Sequence, residues 1–316
     1  MARIDARTRS GNIAEVSPSS SHAESVRGAI TTVLCQLLWG LAPIFWRLLA
    51  EVGPVELIAH RSIWTLVFVL GLLGIQGRRD GVLAAFRDRQ RLPLNLCSGL
   101  LLSSTWLVFV WAVNHGHVVD CSLGYFLVPL VSVAAGRFLL HEAMRRLQWL
   151  AVGAAGAGVA LMIGQLGRPP WIALALAGCW SGYSLLRKRS SLGSLDGLTV
   201  ETMLLAPLAA GFLLWQLHTG RSIVGSAGLP LLLLLISTGA VTAIPLLLFA
   251  YGARRIRMTT LGLLQYIGPT VNLALGIWLY REPFSRAHAV SFGFIWTGLA
   301  LYTADNLIAQ RRLNPC

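Results

Sequence analysis

Apolar residues run in blocks of about twenty along most of this chain, from Val26 almost to Leu307, each parted from the next by a short polar or basic stretch. A helix needs roughly 20 such residues to cross the hydrocarbon core of a bilayer. The blocks predict spans near residues 26–49, 57–75, 93–113, 121–140, 147–164, 170–187, 198–217, 229–252, 259–280 and 287–307. That reading makes the chain an all-α integral membrane protein of ten transmembrane helices. Residues 1–25 are polar, carry Arg3, Arg7 and Arg9 and a serine-rich patch, and have no apolar region or cleavage site of a secretory signal. They are expected to form a disordered cytoplasmic tail, and 311–316 a cytoplasmic C-terminal tail.

Composition strengthens this picture. The 316 residues are 55% hydrophobic and 12% charged, with a mean hydropathy of +0.65, far from the values of soluble domains. The net charge of +13 would suit nucleic acid only if the basic residues gathered on one solvated face. They sit instead in clusters between apolar blocks, and nucleic acid is not an expected partner. Cys35, Cys97, Cys121 and Cys179 lie in or beside spans without metal or CxxC spacing, and read as small core hydrophobes.

Those clusters orient the chain, because loops rich in Lys and Arg stay on the cytoplasmic side. With the amino terminus inside, the inside segments hold Arg78, Arg79, Arg87, Arg89 and Arg91, then Arg145 and Arg146, Arg187 to Arg189, Arg254 to Arg257, and Arg311 and Arg312. The outside loops hold only Arg168, Arg221, Arg281 and Arg286. Both termini are therefore expected in the cytoplasm.

A shift of 140 residues lays Arg47 on Arg187, Pro129 on Pro269, Gly136 on Gly276, Glu142 on Glu282, Gly153 on Gly293 and Gly158 on Gly298. This predicts two five-helix repeats, 26–165 and 166–310. An odd number of spans forces the second copy to enter the membrane from the other side, giving an inverted repeat. Halves related in that way can exchange conformations and open a central site to each face in turn. A duplication kept for packing alone is the plainer alternative.

The fourth and ninth spans each carry a proline near the middle, which removes a backbone hydrogen bond and predicts a kink. Helical spacing puts Tyr125, Pro129, Ser132 and Gly136 on one face, and Gln265, Pro269, Asn272 and Gly276 on the matching one. Polar faces at matching depth suit a midplane site. Arg61 and Glu201 are the clearest ionisable residues within spans, and the same shift superimposes them. Inversion puts Arg61 toward the outside and Glu201 toward the cytoplasm, so a direct pair between them is not expected. Arg61 could attract an anionic or carbonyl group, with Glu56 or Asp120 as its resting partner. Glu201 could bind a cation or a proton, or either residue could form a structural ion pair near the interface. His60 beside Arg61 is a weaker candidate. Trp106, Tyr183 and Tyr266 are candidates for lining an apolar cavity, while aromatics near span ends read as interfacial anchors. The small residues Gly153 to Gly158 read as helix packing. No phosphate-binding loop and no metal-spaced His, Cys, Asp or Glu cluster occurs, so neither a cofactor nor a metal is expected.

At several of these residues the chain resembles the RarD-type permeases of the EamA group in the drug/metabolite transporter superfamily, from about Val26 to Arg311. The matching stretches include Trp39-Gly40 with Pro43, His60-Arg61 with Trp64, Trp111 to Asn114, Ser122 to Phe126 with Pro129-Leu130, Glu201-Thr202, Gln265 to Thr270 and Phe294 to Trp296. The resemblance implies ten helices in inverted five-helix repeats, a place in a bacterial-type inner (plasma) membrane, and export of a drug or metabolite, chloramphenicol being the name usually attached to the group. This sequence departs from the pattern at His141-Glu142 and Arg281-Glu282, where Gly-Glu is expected, and at Val128, where Asn is expected before Pro129. The expected function is a secondary transporter of a small molecule and not an enzyme. The competing reading is a membrane enzyme or assembly factor acting on lipid-linked material. Coupling to a proton or another ion, the oligomeric state and the substrate are not legible.

Overall fold

A computed structural model describes residues 18–77, 80–87, 92–115, 117–166, 169–225, 227–279 and 286–313. The expected tail at Arg3 to Arg9, the loop pair Arg281-Glu282, and Arg78, Arg79, Arg89, Arg91 and Arg168 lie outside the described residues. Every regular element among those described is helical: α1 Pro18–Arg47, α2 Pro54–Ile75, α3 Asp80–Arg87, α4 Leu92–Asn114, α5 Val118–Leu139, α6 Arg146–Leu166, α7 Trp171–Arg189, α8 Ser194–His218, α9 Leu229–Ala253, α10 Met258–Leu264, α11 Ile267–Trp278 and α12 Arg286–Leu313, with a single 3-10 turn at Ile223–Gly225. Six of them, α1, α2, α4, α6, α8 and α9, are long and apolar enough to cross a membrane. Their outer faces stay apolar: Leu208 is 76% exposed and Trp278, on α11, 82%. In water such surface would be a liability; in lipid it is the solvated face.

Three local features differ from the sequence reading. α1 begins at Pro18 rather than near Val26. Proline suits a first helical turn, where its missing N–H is not needed, and Glu24 reaches Arg255 at 3.9 Å. The short α3 was not expected; it packs on α8, with Gly81 against Asp196. The third difference concerns the two prolines. Pro129 is carried within a continuous α5, whereas the helix expected over 259–280 breaks into α10 and α11.

The break has a local cause. Without an N–H on Pro269 the carbonyl of Gln265 loses its helical donor, and Gln265 and Tyr266 tighten into bonds to Gly262 and Leu263 at 3.2 Å each. Pro269 then falls in the first turn of α11, where it is tolerated. Glycines flank this break at 262 and 268, where the first half has Ser122 and Val128. Both are pressed by neighbours: a methyl on Gly262 would lie 2.7 Å from the Pro129 carbonyl, and one on Gly268 2.8 Å from Gln36 Oε1. His141, which stands where glycine was expected, adopts φ 54° just past the end of α5, the left-handed position usually given to glycine.

Helix packing follows the 140-residue correspondence. α1 packs on α9 and α11, and α7 packs in the matching way on α4 and α5. α2, α5 and α6 pack on their own counterparts α8, α10 and α12. The α6–α12 contact shows the pairing in detail. A methyl on Gly158 would lie 2.5 Å from the Ser291 carbonyl, and one on Gly298 2.5 Å from the Ala151 carbonyl; the shift turns either contact into the other.

The loops gather at two ends. At the basic end, the Glu142 carboxylate accepts the backbone N–H groups of Met258 (2.7 Å) and Thr259 (3.0 Å), capping α10 from the first half. Arg254 donates to the Leu192 carbonyl at 2.7 Å, Lys188 to that of Ile256, and Arg145 to Asp305 at 2.6 Å. At the opposite end Glu56 accepts from Ser222 Oγ and the Ile223 N–H, both at 2.9 Å.

Because Gly298 meets backbone while Gly153 meets nothing within 4 Å, Gly298→Val is expected to lower apparent stability by about 1–3 kcal/mol, the range for overpacking. Gly153→Val should leave it nearly unchanged. Thermal unfolding of the two purified variants in detergent checks this; equal melting points would contradict the contact.

Candidate functional site

A cavity of about 870 Å³ lies among α1, α2, α4, α5, α7, α9 and the α10–α11 break. α1 contributes Gln36, Trp39, Pro43 and Trp46, spaced by three or four residues and hence on one face. α2 adds Pro54, Leu57, Ile58 and Arg61 in the same manner. These are the last turns of α1 and the first of α2, and α4 likewise contributes its later turns through Trp106 and Phe109. The cavity therefore occupies the half of the bundle away from the basic end. The broken helix completes the wall with Gln265, Gly268, Pro269 and Asn272, and a pocket of this size takes a drug-sized molecule.

The wall is aromatic with few polar groups. Trp39 and Trp180 meet edge to face at 5.1 Å, and Phe109 lies 6.1 Å from both Trp106 and Tyr125. The Arg61 guanidinium stands 3.4 Å from the centre of the Trp106 ring, an arrangement worth up to about 2 kcal/mol when desolvated. Neither carboxylate expected to hold Arg61 does so. Glu56 is taken up by Ser222 and Ile223, with His60 Nε2 at 3.9 Å, and Asp120 lies 3.3 Å from His117.

Of the residues singled out in the sequence, Arg61, Trp106, Tyr125, Gln265, Pro269 and Asn272 come together on this wall. Ser132, Pro129, Tyr183, Tyr266, His60 and Glu201 do not. Ser132 forms a polar layer with Ser181 (3.0 Å) and Gln265 Oε1 (3.1 Å), and Ser181 donates to the Val128 carbonyl at 3.2 Å. The Pro129 carbonyl abuts Gly262. Tyr266 is fully buried in the core, and Tyr183 stacks on Phe249 at 6.2 Å. Conversely, Trp39, Trp46 and Trp180, which the sequence does not single out for the wall, line the cavity.

Glu201 belongs to a separate buried cluster. Its Oε1 accepts from Ser98 Oγ at 2.5 Å and faces Arg187 Nη1 at 3.5 Å, while Tyr183 donates to Oε2 at 3.4 Å. Arg187 also donates to the Gly193 carbonyl at 3.2 Å. The side chains of the pair are 1% and 0% exposed. Gly197 makes the room: a methyl there would run into the Arg187 guanidinium. Arg187 counted in the sequence as a loop cation; the signal that it differs from its neighbours is its register with Arg47.

The EamA-like transporter family pattern matches residues 26–164. The chain is 41% identical over 303 residues to the uncharacterized transporter YojE of Bacillus subtilis (strain 168), covering 92% of this chain and 98% of that protein. It is 41% identical over 276 residues to the protein RarD of Streptomyces exfoliatus, covering 87% of each. A crystal structure of a protein 22% identical superposes with a TM-score of 0.68 over 90% of this chain and 99% of its own, a likeness of fold.

A buried ion pair broken on one side leaves an uncompensated charge, at a cost of about 3–5 kcal/mol, whereas apolar replacement of both partners is often neutral. Glu201→Ala is thus expected to depress the melting point of the detergent-purified protein sharply, and Arg187→Leu combined with Glu201→Leu to recover most of the loss. A double variant as unstable as Glu201→Ala would contradict the pairing.

Proposed function

We propose, since the chain belongs to the EamA-like transporter family, that it is a secondary transporter carrying a small drug or metabolite across a bacterial-type inner membrane by alternating access around the aromatic cavity. The observation that carries this reading is a cavity large enough for such a solute that is walled by both halves of the chain and confined to one half of the bundle. On this reading the molecule is held in one of two related states. Its basic end is cytoplasmic by the positive-inside rule, and the cavity faces out.

Ten passes in two inverted repeats, 26–165 and 166–310, fit the alternation of loops between the two ends. Helix-by-helix exchange in the packing, down to the reciprocal Gly158 and Gly298 contacts, supports the same arrangement. Glu24 and Asp305 both bond to residues of the basic end, which favours cytoplasmic termini. In the alternate state the roles of the halves exchange: the region around Arg187 and Glu201 opens, and the region around Arg61 closes. Glu201 is the candidate group for proton coupling, because release of its buried partners on opening would change the acid's surroundings. A membrane enzyme is the poorer reading, since the charged groups on the cavity wall are Arg47 and Arg61, which supply neither a nucleophile nor a general base.

The test is flux without chemistry. Liposomes containing the purified protein, loaded with chloramphenicol and a bacterial metabolite extract, are expected to release a subset of solutes unaltered and faster than protein-free liposomes. Gly262→Leu, which drives a side chain into the Pro129 carbonyl between the halves, should stop that release. Solutes converted to product without net flux would refute the carrier reading.

A further inference from the structure

The two halves of the chain treat one pair of positions in opposite ways. In the second half, Arg187 and Glu201 close their charge internally, out of contact with any solvent. In the first half, 140 residues earlier, the same positions are Arg47 and Arg61. Two guanidinium groups stand where a salt bridge stands in the other copy, and both line the cavity.

Arg61 is the decisive one. It is only 7% exposed, and among the described residues no carboxylate pairs with it; Glu56 and Asp120 are committed to Ser222, Ile223 and His117. Its guanidinium carbon lies 3.4 Å from the centre of the Trp106 ring, and among the described residues no hydrogen bond engages its N–H edge. That edge is the part that binds a carboxylate through two parallel hydrogen bonds. Ring contact offsets some of the cost of holding a cation out of water, but it does not neutralise the charge. Arg47 has bonds of its own and contributes the sign of the potential at the rim. Gln265 is on the same wall, and its buried side chain accepts from Ser132 and ties that wall to the polar layer beneath it.

Resting on the carrier reading above, we propose that the cavity binds an organic monoanion with a planar apolar body: its carboxylate on the Arg61 guanidinium, its body among the tryptophans of the wall. A neutral solute would displace the cavity's water and leave the Arg61 charge uncompensated. An inorganic anion would meet the charge but leave the aromatic wall empty. An aryl carboxylate satisfies both.

Indole-3-acetate and its neutral amide, indole-3-acetamide, differ in the one property the proposal turns on. With the full-length protein in detergent at fixed ionic strength, binding is read from the ligand-dependent rise in melting point. The acid is expected to bind at least about tenfold more tightly than the amide, the size of a charge-assisted hydrogen-bond pair, and Arg61→Gln is expected to erase that preference. Equal affinities, tighter binding of the amide, no binding of the acid, or a preference surviving Arg61→Gln would each overturn the proposal. The acid-to-amide comparison in the unaltered protein decides even where the variant folds poorly. Liposome flux separates this proposal from the reading it rests on. If the acid binds with this preference but is never carried across, the carrier falls and the anion site stands. If neutral solutes are carried while the acid is ignored, the carrier stands and the anion site falls.

Discussion

Hydrocarbon offers no water to a charge, so every guanidinium or carboxylate held within the bundle must find its partner in protein or face a wet cavity. The distribution of charge in this molecule follows from that constraint. Arg187 and Glu201 meet each other, with Ser98, Tyr183 and the Gly193 carbonyl as further partners, and both side chains are fully buried. Arg61 has an aromatic ring and a cavity instead. One buried cation thus meets a carboxylate, and the other an aromatic ring at the cavity wall.

The same economy governs the backbone. Helices approach most closely where glycine removes the side chain: Gly158 and Gly298 between α6 and α12, Gly262 at Pro129, Gly197 under Arg187. Such contacts are short and hard, and packed interfaces of this kind tend to have discrete arrangements instead of deforming continuously. The interrupted α10–α11 segment places irregular backbone beside the cavity and away from lipid, the one setting where it is tolerated at membrane depth. Gln265 sits in that interruption, and joins the polar layer under the cavity to its wall.

Much of this was legible in the sequence. The apolar blocks mark the chain as helical and membrane-embedded, helical spacing about Pro129 and Pro269 points to Tyr125, Gln265 and Asn272, and ionisable side chains within spans point to Arg61 and Glu201. What the sequence could not supply was rotation about each helix axis. α1 and α7 are only weakly amphipathic, so hydropathy alone does not tell the lipid face from the inner face. Hence Tyr183 and Tyr266 read as wall residues and are buried elsewhere, while Trp39 and Trp180 face the cavity. Depth was equally opaque for Arg187: in one dimension it is the first of three basic residues at a helix end, and only its fold against Gly197 shows that it turns inward. Proline alone predicts a kink near Gln265; the glycines at 262 and 268 let the chain break there instead.

The central claim is that the halves lie upside down to one another around a cavity open at the end opposite the basic loops. Single cysteines at Ala143, Leu57 and Leu279 in a cysteine-free background test it most directly, through labelling with a membrane-impermeant maleimide in right-side-out and inside-out vesicles. The account predicts that Leu57→Cys, on the cavity wall, and Leu279→Cys, at the end of α11, are labelled from outside, and that Ala143→Cys is labelled only from inside. Labelling of positions 143 and 279 from the same face would contradict it.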